Sequence, residues 1–150
     1  ITMPEIMFNM EFRIKLMRNN TFTSHHHCVY NLTFHVIFIT KFRKQCLNQN
    51  ILSDIYKLIP IIAKSINVSV EEINGESDHI HLILSTKPND CLSSIIGCLK
   101  AKSTSLLLEK YSFPYWGKHK RTLWSSGYFV SSAGGVSIDV LKKYIENQNL

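Results

Sequence analysis

No two cysteines in this 150-residue sequence stand in a C-x-x-C spacing; Cys28, Cys46, Cys91 and Cys98 are scattered along it. That excludes a structural zinc site of the usual kind and offers no disulfide framework, so the four read as buried or incidental thiols in a reducing compartment. Long hydrophobic runs are also missing, and none approaches the roughly 18 residues of a membrane helix. Near the start, Glu5, Glu11, Arg13 and Lys15 interrupt any signal-peptide core. A soluble, cytoplasmic protein with no membrane partner is expected. There is no internal repeat and no low-complexity linker. Acidic residues are in deficit, eleven against seventeen Lys and Arg, for a net charge of +6. A basic domain of this size often meets a polyanion, and nucleic acid is the default candidate.

What is present suffices for one folded domain, because 45% of the residues are apolar and can fill a core. Residues 1–27 carry no clear period and are expected to form a poorly ordered leader, with a single domain over 28–150. The leader ends in His25, His26 and His27, whose adjacent side chains cannot converge on one ion. Regular structure is expected from near Val29. Residues 29–40, rich in β-branched and aromatic side chains, predict a long buried strand. The basic turn Lys41-Phe42-Arg43-Lys44 follows. A helix is expected over 51–66, bent or shortened by Pro60. Strands over 68–74 and 79–85 flank the turn Gly75-Glu76-Ser77-Asp78, and a helix over about 91–110 carries Leu92, Ile95, Ile96, Leu99, Leu106 and Leu107. A last strand near 128–131 and a helix over 138–148, with Ser137 as N-cap, complete the order. That order predicts an α+β, ferredoxin-like (RRM-like) antiparallel sheet with helices on one face, its first and third strands central, plus a C-terminal helix.

Three features can carry chemistry. In Asp78-His79-Ile80-His81-Leu82-Ile83-Leu84, strand alternation sends both imidazoles to one sheet face and the aliphatics to the other. Two such neighbours can share a metal ion; a pair of surface histidines without a common partner fits the pattern too. On the last helix, Tyr144 and Gln148 lie one turn apart. A phenol can attack a phosphodiester when its pKa is lowered and the phosphate is held in line, and the Gln148 amide oxygen could complete a metal shell. On spacing alone, a packing tyrosine is the simpler account. Third, Lys100, Lys102, Lys110, Lys118, Lys120 and Arg121 are opposed only by Glu109 and interleaved with Tyr111, Phe113, Tyr115 and Trp116. Cations for phosphates and rings for unpaired bases are what single-strand binding needs, although some of these rings belong to a core.

Taken in order, Phe34-His35-Val36-Ile37-Phe38-Ile39-Thr40-Lys41-Phe42-Arg43, Ser77-Asp78-His79-Ile80-His81, Leu99-Lys100-Ala101-Lys102-Ser103, Leu123-Trp124-Ser125-Ser126-Gly127-Tyr128-Phe129-Val130 and Lys143-Tyr144-Ile145-Glu146-Asn147-Gln148 resemble the single-tyrosine HUH transposases of small insertion sequences, the IS200-like family. The resemblance covers about residues 30–148. It implies a homodimer that recognises hairpins in single-stranded DNA at the element's ends and cuts and rejoins that DNA. Tyr144 would be the nucleophile, forming a 5′-phosphotyrosine link, and His79, His81 and Gln148 would bind Mg²⁺ or Mn²⁺. Lys41, Arg43, Lys100, Lys102, Lys118, Lys120 and Arg121 would contact DNA, and residues 131–137, with Gly134-Gly135, would be a flexible hinge for the tyrosine helix. Two other readings remain: a replication-initiator or relaxase-type nickase of the same HUH class, and a single-strand-binding module without chemistry.

Overall fold

The computed structural model describes residues 23–25, 28–113, 122–132 and 145–147. It divides into two compact units, residues 1–32 and 33–150. In the first, β1 (Thr23–His25) and β2 (Cys28–Tyr30) form a short antiparallel pair. β1 is regular structure within the stretch read from sequence as a leader. The strand expected over 29–40 is in fact two, because Asn31 separates β2 from β3 (Leu32–Ile39).

The second unit is the α+β sheet domain. After β3 come a 3₁₀ turn (Lys41–Arg43), α1 (Gln49–Ser65), β4 (Ser69–Gly75), β5 (His79–Thr86), α2 (Leu92–Lys110) and β6 (Phe129–Ser132). The strand order is β4-β5-β3-β6, so the first and third strands of the motif are central, as expected. β4 pairs antiparallel with β5, and β3 with β6.

α1 begins where the Asn48 side chain accepts from the Ile51 N–H at 3.0 Å, a cap for one of the orphan donors of the first turn. Its buried positions, Ile51, Leu52, Ile55, Ile59, Ile62 and Ala63, recur at helical spacing. Pro60 does not cut the helix short, since it runs five residues past the proline to Ser65. Pro60 costs one main-chain hydrogen bond, which burial of Ile59, Ile62 and Ala63 on either side offsets at about 1.5–3 kcal/mol per large aliphatic. α2 buries Ile95, Ile96, Leu99, Ser103 and Leu107, whereas Leu106 is 41% exposed.

Both helices cover one sheet face. Val36 and Phe38 from β3, and Ile80, Leu82 and Leu84 from β5, are fully buried there against α1 and α2, with Leu123 and Trp124 closing the core. Trp124 donates its indole N–H to Ser103 Oγ at 3.0 Å, so the one polar edge of that ring is satisfied inside. On β4, Val70 and Ile73 both pack on this core although they are three residues apart. A bulge between Val70 and Glu72 makes this possible by taking Glu71 out of register.

Candidate active site on the open sheet face

Strand alternation leaves the opposite face to His35, Ile37 and Ile39 of β3 and to His79, His81 and Ile83 of β5. The expectation for His79 and His81 is therefore met: both lie on the face that no helix of the core covers. Each is half-buried, and each is held by a different neighbour.

His79 Nδ1 lies 2.8 Å from Asp78 Oδ1, and the other carboxylate oxygen accepts from Arg43 Nε at 3.0 Å. Burial alone would push the Asp78 carboxyl up; hydrogen bonds from His79 and Arg43, with their charges, outweigh it and hold the group below its usual range. In the neutral tautomer whose Nδ1 donates to the carboxylate, Nε2 of His79 carries the lone pair, the arrangement in which metal-ligating histidines are commonly fixed. The backbone just before His79 is also pinned. Thr40, wholly buried, donates its N–H to the Asp78 carbonyl (2.9 Å), and its hydroxyl lies between that carbonyl (3.1 Å) and the carbonyl of Lys44 (2.8 Å).

His81 Nε2 lies 2.8 Å from His35 Nδ1, and the rings stack at 12° with centroids 5.1 Å apart. One ring nitrogen donates and the other accepts. Burial, followed by repulsion from His35, lowers the pKa of His81 and favours the neutral imidazole that a metal requires. His35 was not singled out from sequence. Its signal was there, since it shares parity with Ile37 and Ile39 on the neighbouring central strand. Among the described residues no group of three or more His, Cys, Asp or Glu is arranged to hold a metal. The donor set implied by resemblance, two imidazoles and one carboxamide, fits His79 and His81 as far as they go, because one is oriented by a carboxylate and the other is kept neutral.

Tyr144 and Gln148 lie outside the described residues, as do Lys118, Lys120 and Arg121 and residues 133–137 of the expected hinge. Residues 145 and 146, which are described, are helical. Ile145 packs with Phe129 on Ile37 and Ile39, the apolar patch of the open face. Glu146 offers its carbonyl to Arg43 Nη1 at 3.3 Å. The residue after Tyr144 is thus docked on the histidine-bearing face of its own chain.

The basic side chains divide. Lys41 stands over the Phe42 ring at 5.6 Å. Arg43 belongs to the histidine network. Lys100 lies towards the helix-covered side: its ammonium donates to the carbonyls of Ser125 (2.7 Å) and Gly127 (2.6 Å) and sits 5.5 Å from the rings of both Phe38 and Tyr128. Lys102, on the same helix, is exposed. Among the described residues no helix is long and apolar enough to cross a membrane.

Comparison with known proteins agrees with this geometry. The model of a family described as "Transposase IS200 like" matches residues 28–148. The chain is 28% identical over 122 residues to the transposase for insertion sequence element IS200 of Salmonella typhimurium, covering 81% of this chain and 80% of that protein. It is 27% identical over 124 residues to the ISDra2 transposase TnpA of Deinococcus radiodurans, covering 81% and 86%. A crystal structure of a candidate transposase from Deinococcus radiodurans superposes with a TM-score of 0.75 at 26% identity, over 85% of this chain and 98% of that one. A tyrosine transposase solved bound to a REP hairpin shares the fold, with a TM-score of 0.51 at 12% identity over 83% and 69%.

Proposed function

Because the chain belongs to the IS200-like transposase family, we propose that it cuts and rejoins single-stranded DNA at insertion-sequence ends, with Tyr144 as nucleophile. The observation that carries this reading is the docking of Ile145, the residue after Tyr144, on the sheet face that presents His79 and His81. The phenolic oxygen of Tyr144 attacks phosphorus, and the bond from phosphorus to the 3′ oxygen breaks. The phenol loses a proton and the departing 3′ oxygen gains one. The product is a 5′-phosphotyrosine link that conserves the energy of the diester. Attack of a 3′-hydroxyl on such a link reverses the exchange and frees Tyr144, so strands rejoin without ATP.

His79 and His81, with Gln148, would hold Mg²⁺ or Mn²⁺, which when bound polarises the scissile phosphate. The remaining work falls to the chain's own groups. Asp78 keeps His79 in one orientation, and His35 does so for His81. Lys41 and Lys102, with Lys118, Lys120 and Arg121, supply positive charge for a strand and its hairpin, while Arg43, also expected from the resemblance to contact DNA, is engaged by Asp78 and Glu146. Lys100, with its ammonium engaged by carbonyls, orders the segment leading to β6. The active form is proposed to be a homodimer, one copy for each element end, which sedimentation in the presence of end DNA would test. The tyrosine transposase solved with a REP hairpin supports hairpin recognition by this fold. A base-stacking sheet without chemistry fits less well, because the central strands present imidazoles and aliphatics where stacking rings belong.

The test is incubation of labelled single-stranded DNA from the element's own ends with Mg²⁺, followed by denaturing electrophoresis. Wild type is expected to form a covalent adduct. Tyr144→Phe should lose the adduct and keep hairpin binding; an adduct that persists in Tyr144→Phe overturns the assignment.

A further inference from the structure

Arg43 reaches two places at once. Its Nε donates to Asp78 Oδ2 at 3.0 Å, and its Nη1 donates to the Glu146 carbonyl at 3.3 Å. Asp78 passes the first contact on, because its other oxygen lies 2.8 Å from His79 Nδ1. The backbone that delivers Arg43 is unusual. Phe42 and Arg43 stand consecutively in the left-handed region, at φ 57° and 52°, a conformation uncommon outside glycine and kept only where its surroundings enforce it. What enforces it is visible: the Arg43 N–H is bound to the Thr40 carbonyl at 2.9 Å, and the Lys41 N–H to the Leu123 carbonyl at 2.9 Å.

We propose that Arg43 is a positioning residue that couples the seating of the C-terminal segment to the orientation of His79 through Asp78. This rests on the reading of His79 as a metal ligand and Tyr144 as the nucleophile. A guanidinium is a rigid planar fork, so its two contacts cannot move independently. Displacement of residues 145–146 pulls on Nη1, tilts Nε against Asp78 and disturbs the carboxylate that fixes the imidazole. Conversely, a correctly held His79 presents Arg43 in the pose that receives Glu146. The nucleophile-bearing segment and the ligand would then be set together. A lysine in this place has charge but one nitrogen, and cannot make both contacts from a fixed plane. A simple phosphate contact, through the Nη hydrogens that these two bonds do not use, is the competing role for Arg43.

Two measurements on the full chain decide the matter. Mn²⁺ titration without DNA, read by the electron paramagnetic resonance of free Mn²⁺, should show affinity falling about 10–100-fold in Asp78→Asn. Arg43→Ala should move it in the same direction. In single-turnover adduct formation at saturating DNA, Arg43→Ala should be slower by about 10–100-fold, with strand affinity and its salt dependence unchanged. Arg43→Lys should fail to restore the rate. Unchanged Mn²⁺ affinity and adduct rate in Arg43→Ala overturn the proposal. So does a loss confined to strand affinity, with a salt slope lower by about one and recovery in Arg43→Lys, since that is a phosphate contact. A wild-type chain that forms no adduct overturns the strand-transfer reading and the tie to residues 145–146, while the Mn²⁺ titration, which needs neither DNA nor Tyr144, still decides the link to His79.

Discussion

The two faces of the central sheet are built from the same strands and share almost nothing else. On β5, Ile80, Leu82 and Leu84 are wholly buried beneath the helices, while His79 and His81, alternating with them, are held by polar partners on the far side. On β3, Val36 and Phe38 look one way and His35, Ile37 and Ile39 the other. The covered face draws its energy from area removed from water and is indifferent to direction. The open face buries the Ile37 and Ile39 patch under Phe129 and Ile145, but around its histidines it depends on hydrogen bonds of defined geometry. Under the proposed function, stability and chemistry fall to alternate residues of one strand, so each can be altered with little cost to the other.

The largest effect that would sharpen this contrast comes from the open face. His79→Ala is expected to lower adduct formation by at least about 100-fold, as one imidazole cannot replace two. Its urea midpoint should stay close to wild type, and a large fall in the midpoint would break the contrast. On the covered face, Leu82→Ala should cost about 2–5 kcal/mol of unfolding free energy in urea titration, with the residual folded fraction still forming adduct. Smaller is Ser103→Ala, which leaves the buried Trp124 indole N–H without its acceptor and should cost about 1–3 kcal/mol. The smallest lies at the surface, where Asp54 takes hydrogen bonds from Lys110 and Tyr111 that hold its carboxyl below its usual value. A depressed carboxyl stabilises the fold above its unfolded pKa of about 3.9, and that contribution is lost as pH falls through the lower folded value. Asp54→Asn should therefore flatten the acid limb of a stability–pH curve by slightly lowering stability at neutral pH, leaving stability below the folded pKa nearly unchanged.

The sequence discloses the covered face more fully than the open one, for a physical reason. Burial leaves a periodic trace, so the four sheet strands and both helices were legible in the sequence, and the order of those elements placed β3 and β5 at the centre. Irregularities were harder. Pro60 argued for a bent or shortened α1, but the helix runs on to Ser65, tertiary burial outweighing one lost hydrogen bond. The bulge in β4 was written only as a parity break, Val70 to Ile73, inside a strand too short for the break to stand out. On the open face, H-x-H announced two residues by alternation. Their supports were hidden, because His35 and Arg43 lie 46 and 35 positions away from the residues they touch. Only folding brings them near, and no local pattern records such a pairing.

The β4 bulge has a consequence for error. Neighbouring residues of a strand face opposite ways, so sliding β5 along β4 by one position would turn Ile80, Leu82 and Leu84 outward and drive both histidines beneath the helices. There is no intermediate register in which the site is half made. The irregular step at Glu71 breaks the translational sameness that would let β5 slide. Gly75 adds a second lock, since any side chain there would press within 3.0 Å of the His79 carbonyl and the Leu52 methyl. A mispaired hairpin would be unable to close its core, and a molecule with misplaced histidines would be left unfolded rather than folded and defective. For an enzyme that breaks DNA, quality control of the nuclease is delegated to the stability of the sheet.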